Sequence, residues 1–321
     1  MQETGLFDVQ SHSYGHTRER IAVSRLSEES QVLELEPVTP KALYLSFFGI
    51  GNTALRLSAL NLIEATELNA LVIDVKGDRG MIAYKSAIPL ATPDLAVKTG
   101  NGRSWHDREH LAWADPFKKE VQNYNIEVAV EAAESGFDEI QFDYVRFPDA
   151  RGLVFSMPST EQNRVNAISA FLQEARKRLA SYNVFLAADI FGYVCWNLDD
   201  TEVGQRLEEL MLHLDYISPM LYPSCFQYGI PGYRNPVAHP YEIVYHSLKR
   251  AKERTGLPSA RFRPWLQAFK DYAFDRRPFS GKEIRAQIKA AEDFGADGWM
   301  LWNSRNIYSK DGLYSEDGLR Q

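Results

Sequence analysis

The run Gly136-Phe137-Asp138-Glu139-Ile140-Gln141-Phe142-Asp143-Tyr144-Val145-Arg146-Phe147-Pro148-Asp149 decides how this chain of 321 residues is read. It opens on a glycine that stops an amphipathic stretch, passes through a short strand over Glu139–Asp143, and finishes in a loop holding Pro148. A short strand that follows a helix and ends on a carboxylate is one unit of a parallel sheet. Upstream, Val121, Tyr124, Val128 and Ala132 share one face of a helix predicted to start at Asp115-Pro116. Downstream, Ser159-Thr160-Glu161-Gln162 reads as a capping box that opens a helix turning Val165, Ile168, Leu172, Ala175 and Leu179 inward.

The same alternation recurs on both sides. Strands are predicted over Ala42–Phe48, Ala70–Val75, Val184–Asp189, Tyr216–Tyr222, Phe262–Ala268 and Gly298–Trp302. Helices are predicted over Ala54–Thr66, from an Asp199-Asp200-Thr201 cap to Leu212, and over Tyr241–Thr255 and Gly281–Phe294. Short strands separated by single helices predict an α/β fold of the TIM-type (β/α)8 barrel class. No GxGxxG follows a strand, which removes the main support for a dinucleotide-binding sheet. One unit falls short. Lys76 to Asp115 is broken by Gly77, Gly80, Pro89, Pro93, Gly100 and Gly102, so it reads as a large loop where the third βα unit is lacking or distorted. Residues 1–38 read as a polar N-terminal arm and residues 39–321 as the barrel.

Composition narrows the function. At 45% hydrophobic and 25% charged residues the chain has material for a large core, which excludes disorder, collagen and coiled coil. A net charge of -7 argues against nucleic-acid partners and anionic membrane surfaces and favours neutral or polar substrates. Two cysteines, Cys195 and Cys225, make neither a disulfide framework nor a CxxC metal site. No apolar leader is expected in the first thirty residues, and no membrane span anywhere. The 16 Tyr, 17 Phe and 6 Trp suggest rings that line a site for a flat or amphipathic ligand.

In a barrel the chemistry sits at the C-terminal ends of the strands, so the polar residues that finish each apolar run are the candidates. They are Asp74 with Lys76, Asp143 with Arg146, Asp189, Tyr222, Gln267, and Trp302 with Asn303. A carboxylate ending an apolar strand costs desolvation energy unless it is paired or used.

The quoted run resembles the signature of a putative glycoside hydrolase family of bacteria, once catalogued as a domain of unknown function in envelope proteins. Val72–Lys76, Ala188–Gly192, Tyr216–Ser224 and Gly298–Asn303 resemble it as well, so the likeness covers nearly everything after Pro40. It implies a TIM-barrel glycosidase acting on a polysaccharide or cell-envelope glycan, with relatives commonly exported. Family members carry a third strand and its helix between the segments that here abut, Ile88–Ala91 and Pro93–Lys98, which is the same missing unit.

Glycosidases flank the scissile bond with two carboxyl groups, one ionised and one protonated. Asp143 and Asp189 end consecutive strands and form the predicted catalytic pair: Asp143 as nucleophile of a retaining mechanism, Asp189 as acid. Alpha-amylase-like barrels supply the analogy. Arg146 is expected to keep Asp143 ionised, and Phe191 with Trp196 to desolvate Asp189. The competing reading has both carboxylates capping helices or pairing with cations at the rim. Asp74 is a rival acid or a sugar-hydroxyl ligand, against a salt bridge to Lys76 or Arg79. Lys76, Tyr144, Arg146, Trp196, Tyr222, Trp265, Gln267, Trp302 and Asn303 complete the predicted substrate-binding set, rings for stacking and amides for hydroxyls. The loop from Pro223 to Pro240 reads as a binding lip or as a structural loop packed on its own aromatics. No cofactor is expected; the partner is a polysaccharide or oligosaccharide. The alternative function is a catalytically inactive barrel that binds glycan or partner proteins. His12-Ser13-Tyr14-Gly15-His16 resembles a deacetylase metal motif without its Asp-Asp segment, and His106-Asp107-Arg108-Glu109-His110 reads as a polar loop, so no metal is assigned.

Overall fold

The computed structural model describes residues 39–77, 79–82, 84–89 and 93–315; the N-terminal arm with His12 and His16 lies outside them. Strand β1 (Lys41–Leu45) leads into two short-coupled helices, α1 (Phe47–Gly51) and α2 (Thr53–Ala65). Ser46 caps the first by accepting from Gly49 N–H, and Asn52 caps the second by accepting from Ala54 and Leu55. Then follow β2 (Ala70–Ile73), the two-residue β3 (Lys98–Thr99), α3 (Lys119–Glu134), β4 (Glu139–Phe142), the two-residue β5 (Leu153–Val154) and α4 (Glu161–Leu179). The second half holds β6 (Phe185–Phe191), α5 (Leu207–Leu210), β7 (Tyr216–Met220), α6 (Pro240–Thr255), β8 (Trp265–Gln267), α7 (Gly281–Phe294) and β9 (Trp299–Trp302).

Seven strands form one parallel sheet in the order β2-β1-β9-β8-β7-β6-β4. The end strands β2 and β4 flank the place of the third barrel strand, so the fold is a TIM-type barrel without that unit. Between them the segment 93–115 folds as a small antiparallel meander, bridging Ala96 to Ala114, Lys98 to Ser104 and His106 to Ala112, and β3 pairs with β5 beyond the end of β4. It supplies a wall beside β4 that local pattern left as a loop.

Strand parity separates two apolar clusters. Leu43 and Leu45 of β1, Ile140 of β4, Leu186, Ala188 and Ile190 of β6, and Leu301 of β9 pack outward against the helices. Ala42, Tyr222, Trp265 and Met300 form a second cluster inside the sheet with Tyr44, Val72, Met220, Phe269 and Trp302 around it. At the N-terminal end of the strands, Arg263 donates to the Asp297 carbonyl at 2.9 Å, pairs with the carboxylates of Glu139 and Asp297, and lies 3.8 Å from the Tyr216 ring centre. Gly298, at φ 85°, lets β9 start against Pro40, whose carbonyl oxygen would sit 2.0 Å from a Cβ there.

Three predicted helix starts are displaced. Asp115, buried, gives its carboxylate to the N–H groups of Phe117 and Ser156, so Asp115-Pro116 is a turn and α3 begins at Lys119. The cap of α4 is Thr160, which accepts from Asn163 N–H, in place of Ser159. The helix predicted from Asp199 to Leu212 is reduced to α5: Thr201 and Glu202 take the left-handed conformation, and Asp200 accepts from Glu202 and Gly204 N–H and from both arms of Arg164.

Candidate functional site

Asp143 follows the last residue of β4. Its Oδ1 accepts from the N–H of Tyr144 at 2.6 Å, and Tyr144 stands at φ 51°, a left-handed conformation uncommon for an aromatic residue. This bend throws the half-exposed Tyr144 ring against Trp113 of the meander, edge-on at 5.6 Å, and Asp143 is itself an exposed residue. Desolvation by the protein around its carboxyl pushes it above its usual range, while the Tyr144 N–H, Arg146 and Lys76 pull it down.

Asp189 lies inside the sheet on β6, 5% exposed. Its Oδ1 accepts from Gln141 Nε2 of β4 at 2.5 Å and from Trp265 Nε1 of β8 at 2.7 Å. Oδ2 has no hydrogen-bond partner among the described residues. Burial first, then the charge of Asp143, hold the Asp189 carboxyl well above the carboxylate range; the donors from Trp265 and Gln141 work against this. Two carboxyl groups in each other's field do not both ionise readily, which favours the neutral form at Asp189. With Oδ1 already accepting twice, Oδ2 is the oxygen left for a proton.

Asp74 follows β2 and accepts from the hydroxyl of Tyr44 at 2.6 Å. Burial, Asp74 and Asp143 raise the Tyr44 pKa, so the phenol stays a donor. Tyr44 also meets Trp265 and Trp302, each at 6.2 Å. Trp302 stacks on Tyr222 at 5.5 Å and 25°. Burial, Asp189 and Asp143 likewise push the Tyr222 hydroxyl up, which places Tyr222 in the field of both carboxylates.

Asp74, Asp143, Asp189, Tyr222, Trp265 and Trp302 are therefore brought together, with Lys76 and Arg146 acting on Asp143. Three predicted residues are not available to a sugar. The Trp196 indole donates to Ser247 Oγ on α6 at 2.9 Å and packs into the helix layer. Gln267, fully buried, accepts from Ser224 N–H and donates to Ser224 Oγ and the Phe269 carbonyl, tying the loop after β7 to β8. Asn303 donates to the carbonyls of Ala268 and Ile307 and accepts from Arg305 N–H, closing the turn after β9. Arg146 lies in the field of Asp143 without a direct ion pair; its guanidinium is held by rings. Two members that local reading missed are Tyr44 and Gln141, whose inward parity on β1 and β4 is the one available signal. Phe226 and Tyr228 lie in the loop after β7: Tyr193, on the 3-10 turn after β6, packs on Phe226 at 5.0 Å and its hydroxyl accepts from Tyr228 N–H, while Tyr228 itself is exposed.

Among the described residues no group of three His, Cys, Asp or Glu side chains forms a metal site. His106 and His110 flank a tight turn built on Asp107, whose carboxylate accepts from Glu109 and Leu111 N–H and the Trp113 indole. No helix of the described residues is long and apolar enough to cross a membrane.

The family described as "putative glycosyl hydrolase domain" matches this chain over residues 42–93 and 88–308. The two pieces meet at residues 88–93, where the third unit is lacking. No curated protein matches in sequence. A hypothetical protein from Ruminiclostridium thermocellum ATCC 27405 is 34% identical over 46% of this chain and 96% of its own, with a TM-score of 0.40. A class V chitinase from Pseudomonas fluorescens Pf-5 is 14% identical, covers 85% of this chain and 97% of its own, and has a TM-score of 0.52. The spore cortex-lytic enzyme SleL of Bacillus megaterium QM B1551 is 14% identical, covers 86% and 73%, and has a TM-score of 0.51. At 14% identity these two share the fold. The family match runs from the first strand of the sheet to the turn after its last, and the chain belongs to the putative glycosyl hydrolase domain family, in the barrel architecture of glycoside hydrolases.

Proposed function

We propose that the chain hydrolyses O-glycosidic bonds of a polysaccharide by a retaining mechanism in which Asp143 is the nucleophile and Asp189 the acid. The observation that carries this reading is the contrast between the two carboxyl groups. Burial raises both carboxyl groups, but at Asp143 the Tyr144 N–H, Arg146 and Lys76 oppose the rise, whereas at Asp189 the charge of Asp143 adds to it and one oxygen, Oδ2, is left for a proton. In the first step Asp143 bonds to the anomeric carbon as the bond to the leaving oxygen breaks, and the Asp189 Oδ2 proton passes to that oxygen. In the second, Asp189 takes a proton from water, the water oxygen bonds to the anomeric carbon, and Asp143 is released. The stacked pair Tyr222 and Trp302 offers ring surface to a sugar, and Tyr44 with Asp74 offers a donor and an acceptor for its hydroxyls.

Asp143→Asn and Asp189→Asn, assayed on a glycan panel, test this. Asp143→Asn is expected to fall to background, and Asp189→Asn to lose about 10²–10⁴-fold on substrates with poor leaving groups. Unchanged hydrolysis by both variants refutes the assignment. Proton NMR of the first-released anomer separates retention from inversion.

A further inference from the structure

Among the described half-buried arginines that make no ion pair, Arg56, Arg146, Arg250 and Arg261, Arg146 is the one whose guanidinium lies over aromatic rings. Arg263, Arg164, Arg254 and Arg285 each hold a carboxylate at ion-pair distance. Arg146 holds none among the described residues, and its one side-chain hydrogen bond there is from Nη1 to the Phe147 carbonyl at 3.2 Å. Its guanidinium carbon lies over three rings instead, at 4.7 Å from the centre of Trp113, 5.1 Å from Tyr144 and 5.1 Å from Phe191. Asp143, Asp149 and Asp107 are in its field, yet Asp143 binds the Tyr144 N–H and Asp107 is engaged by its own turn. A guanidinium keeps its charge, and half-burying that charge with no carboxylate at ion-pair distance is costly. Rings that lie against it steady its orientation while its in-plane N–H fork stays available, the geometry that takes a carboxylate through two parallel hydrogen bonds.

We propose that Arg146 is the recognition site for a carboxylate carried by the sugar bound beside Asp143, so that the substrate is an acidic glycan. The overall charge of -7 is no obstacle, because the contact is local. This inference rests on the proposed glycan site and deepens it. Uronic acids present such a group on the ring, and muramic acid presents one through its lactyl ether.

The test uses the full chain carrying Asp143→Asn, so that binding is read without turnover. Calorimetry compares oligouronates, their carboxyl-reduced counterparts of equal length, and lactyl-bearing glycan strands beside chitin oligomers. A carboxylated ligand is expected to bind roughly tenfold to a hundredfold tighter than its neutral counterpart, with the margin shrinking as salt rises. Adding Arg146→Met removes the margin, and Arg146→Lys, which keeps charge without the fork, narrows it; melting curves report that each variant is folded. A margin for either carboxylate source supports the proposal and identifies the sugar type. Equal affinity for carboxylated and neutral ligands, or a margin that survives both Arg146 substitutions, overturns it while the hydrolase reading stands. Arg146-dependent binding by a wild-type chain that cleaves no glycan overturns the hydrolase reading alone, and failure to bind any glycan overturns both.

Discussion

Trp265→Phe isolates the feature on which the acid assignment depends. The indole N–H reaches Asp189 Oδ1 at 2.7 Å from a position 3% exposed, so the substitution deletes one donor and keeps a ring in place. A hydrogen bond to a charged group is worth about 1.5–3 kcal/mol, and about 1.4 kcal/mol corresponds to one pH unit. The donor favours the ionised carboxylate, so its loss raises the pH at which Asp189 ionises by about one to two units. An acid must be protonated to act. The alkaline limb of the kcat/KM profile therefore moves to higher pH in Trp265→Phe, even if the smaller ring lowers the maximal rate. Gln141→Leu deletes the other donor, at 2.5 Å, and is expected to move the limb in the same direction. The assay is a kcat/KM profile of each variant and the wild type on one cleaved glycan, with thermal melting to establish folding. An alkaline limb that stays in place, or moves down, in both variants refutes the reasoning.

Three further outcomes concern stability. Asp189 is raised in the folded chain, so folding is favoured below its unfolded pKa and that advantage is lost as pH rises through the folded value; Asp189→Asn is expected to melt higher than wild type above that window and to gain nothing at the acid end, as denaturant titrations across pH will show. Asp271 behaves oppositely: burial raises its carboxyl, but Ser224 Oγ and the N–H groups of Ala273, Arg276 and Phe274 lower it further, to about 2, so Asp271→Asn costs about 2 kcal/mol near neutral pH and the difference fades between about pH 4 and pH 2. Arg263→Met strands Glu139 and Asp297 at the lower end of the barrel and is expected to cost about 3–5 kcal/mol in urea unfolding at neutral pH, with much of the loss recovered by adding Glu139→Gln.

Much of this architecture was legible in local pattern. Apolar runs of four to seven residues punctuated by helices marked all seven sheet strands, and the glycine- and proline-broken stretch after Lys76 marked the absent unit. Asp74, Asp143 and Asp189 stood out because a carboxylate at the end of an apolar run is chemically incongruous. The failures have one cause. Asp199–Leu212 has helical composition, but Arg164, 36 residues away, draws Asp200 into a bidentate pair and the chain turns left-handed at Thr201 and Glu202. Trp196, Gln267 and Asn303 have the chemistry of a sugar floor, yet Ser247, Ser224 and backbone carbonyls claim them. Tyr44 sits in a strand whose residues after Lys41 are all apolar or aromatic, so parity pairs it with Ala42 but only the closed sheet shows that this face turns inward.

Residue order alone thus determined the succession of strands and helices, the position of the missing unit and the carboxylates at or near the ends of the strands, although β6 runs two residues past Asp189, because these follow from periodicity and turn chemistry over a few neighbouring residues. Only the tertiary structure decided which neighbours surround those carboxylates and which rings gather around Arg146. Asp189 meets its two donors across 48 and 76 residues of chain, and Arg146 finds rings on the meander and on β6. Charge and proton affinity depend on such distant neighbours and on burial, and closing the strands into a sheet is what creates both.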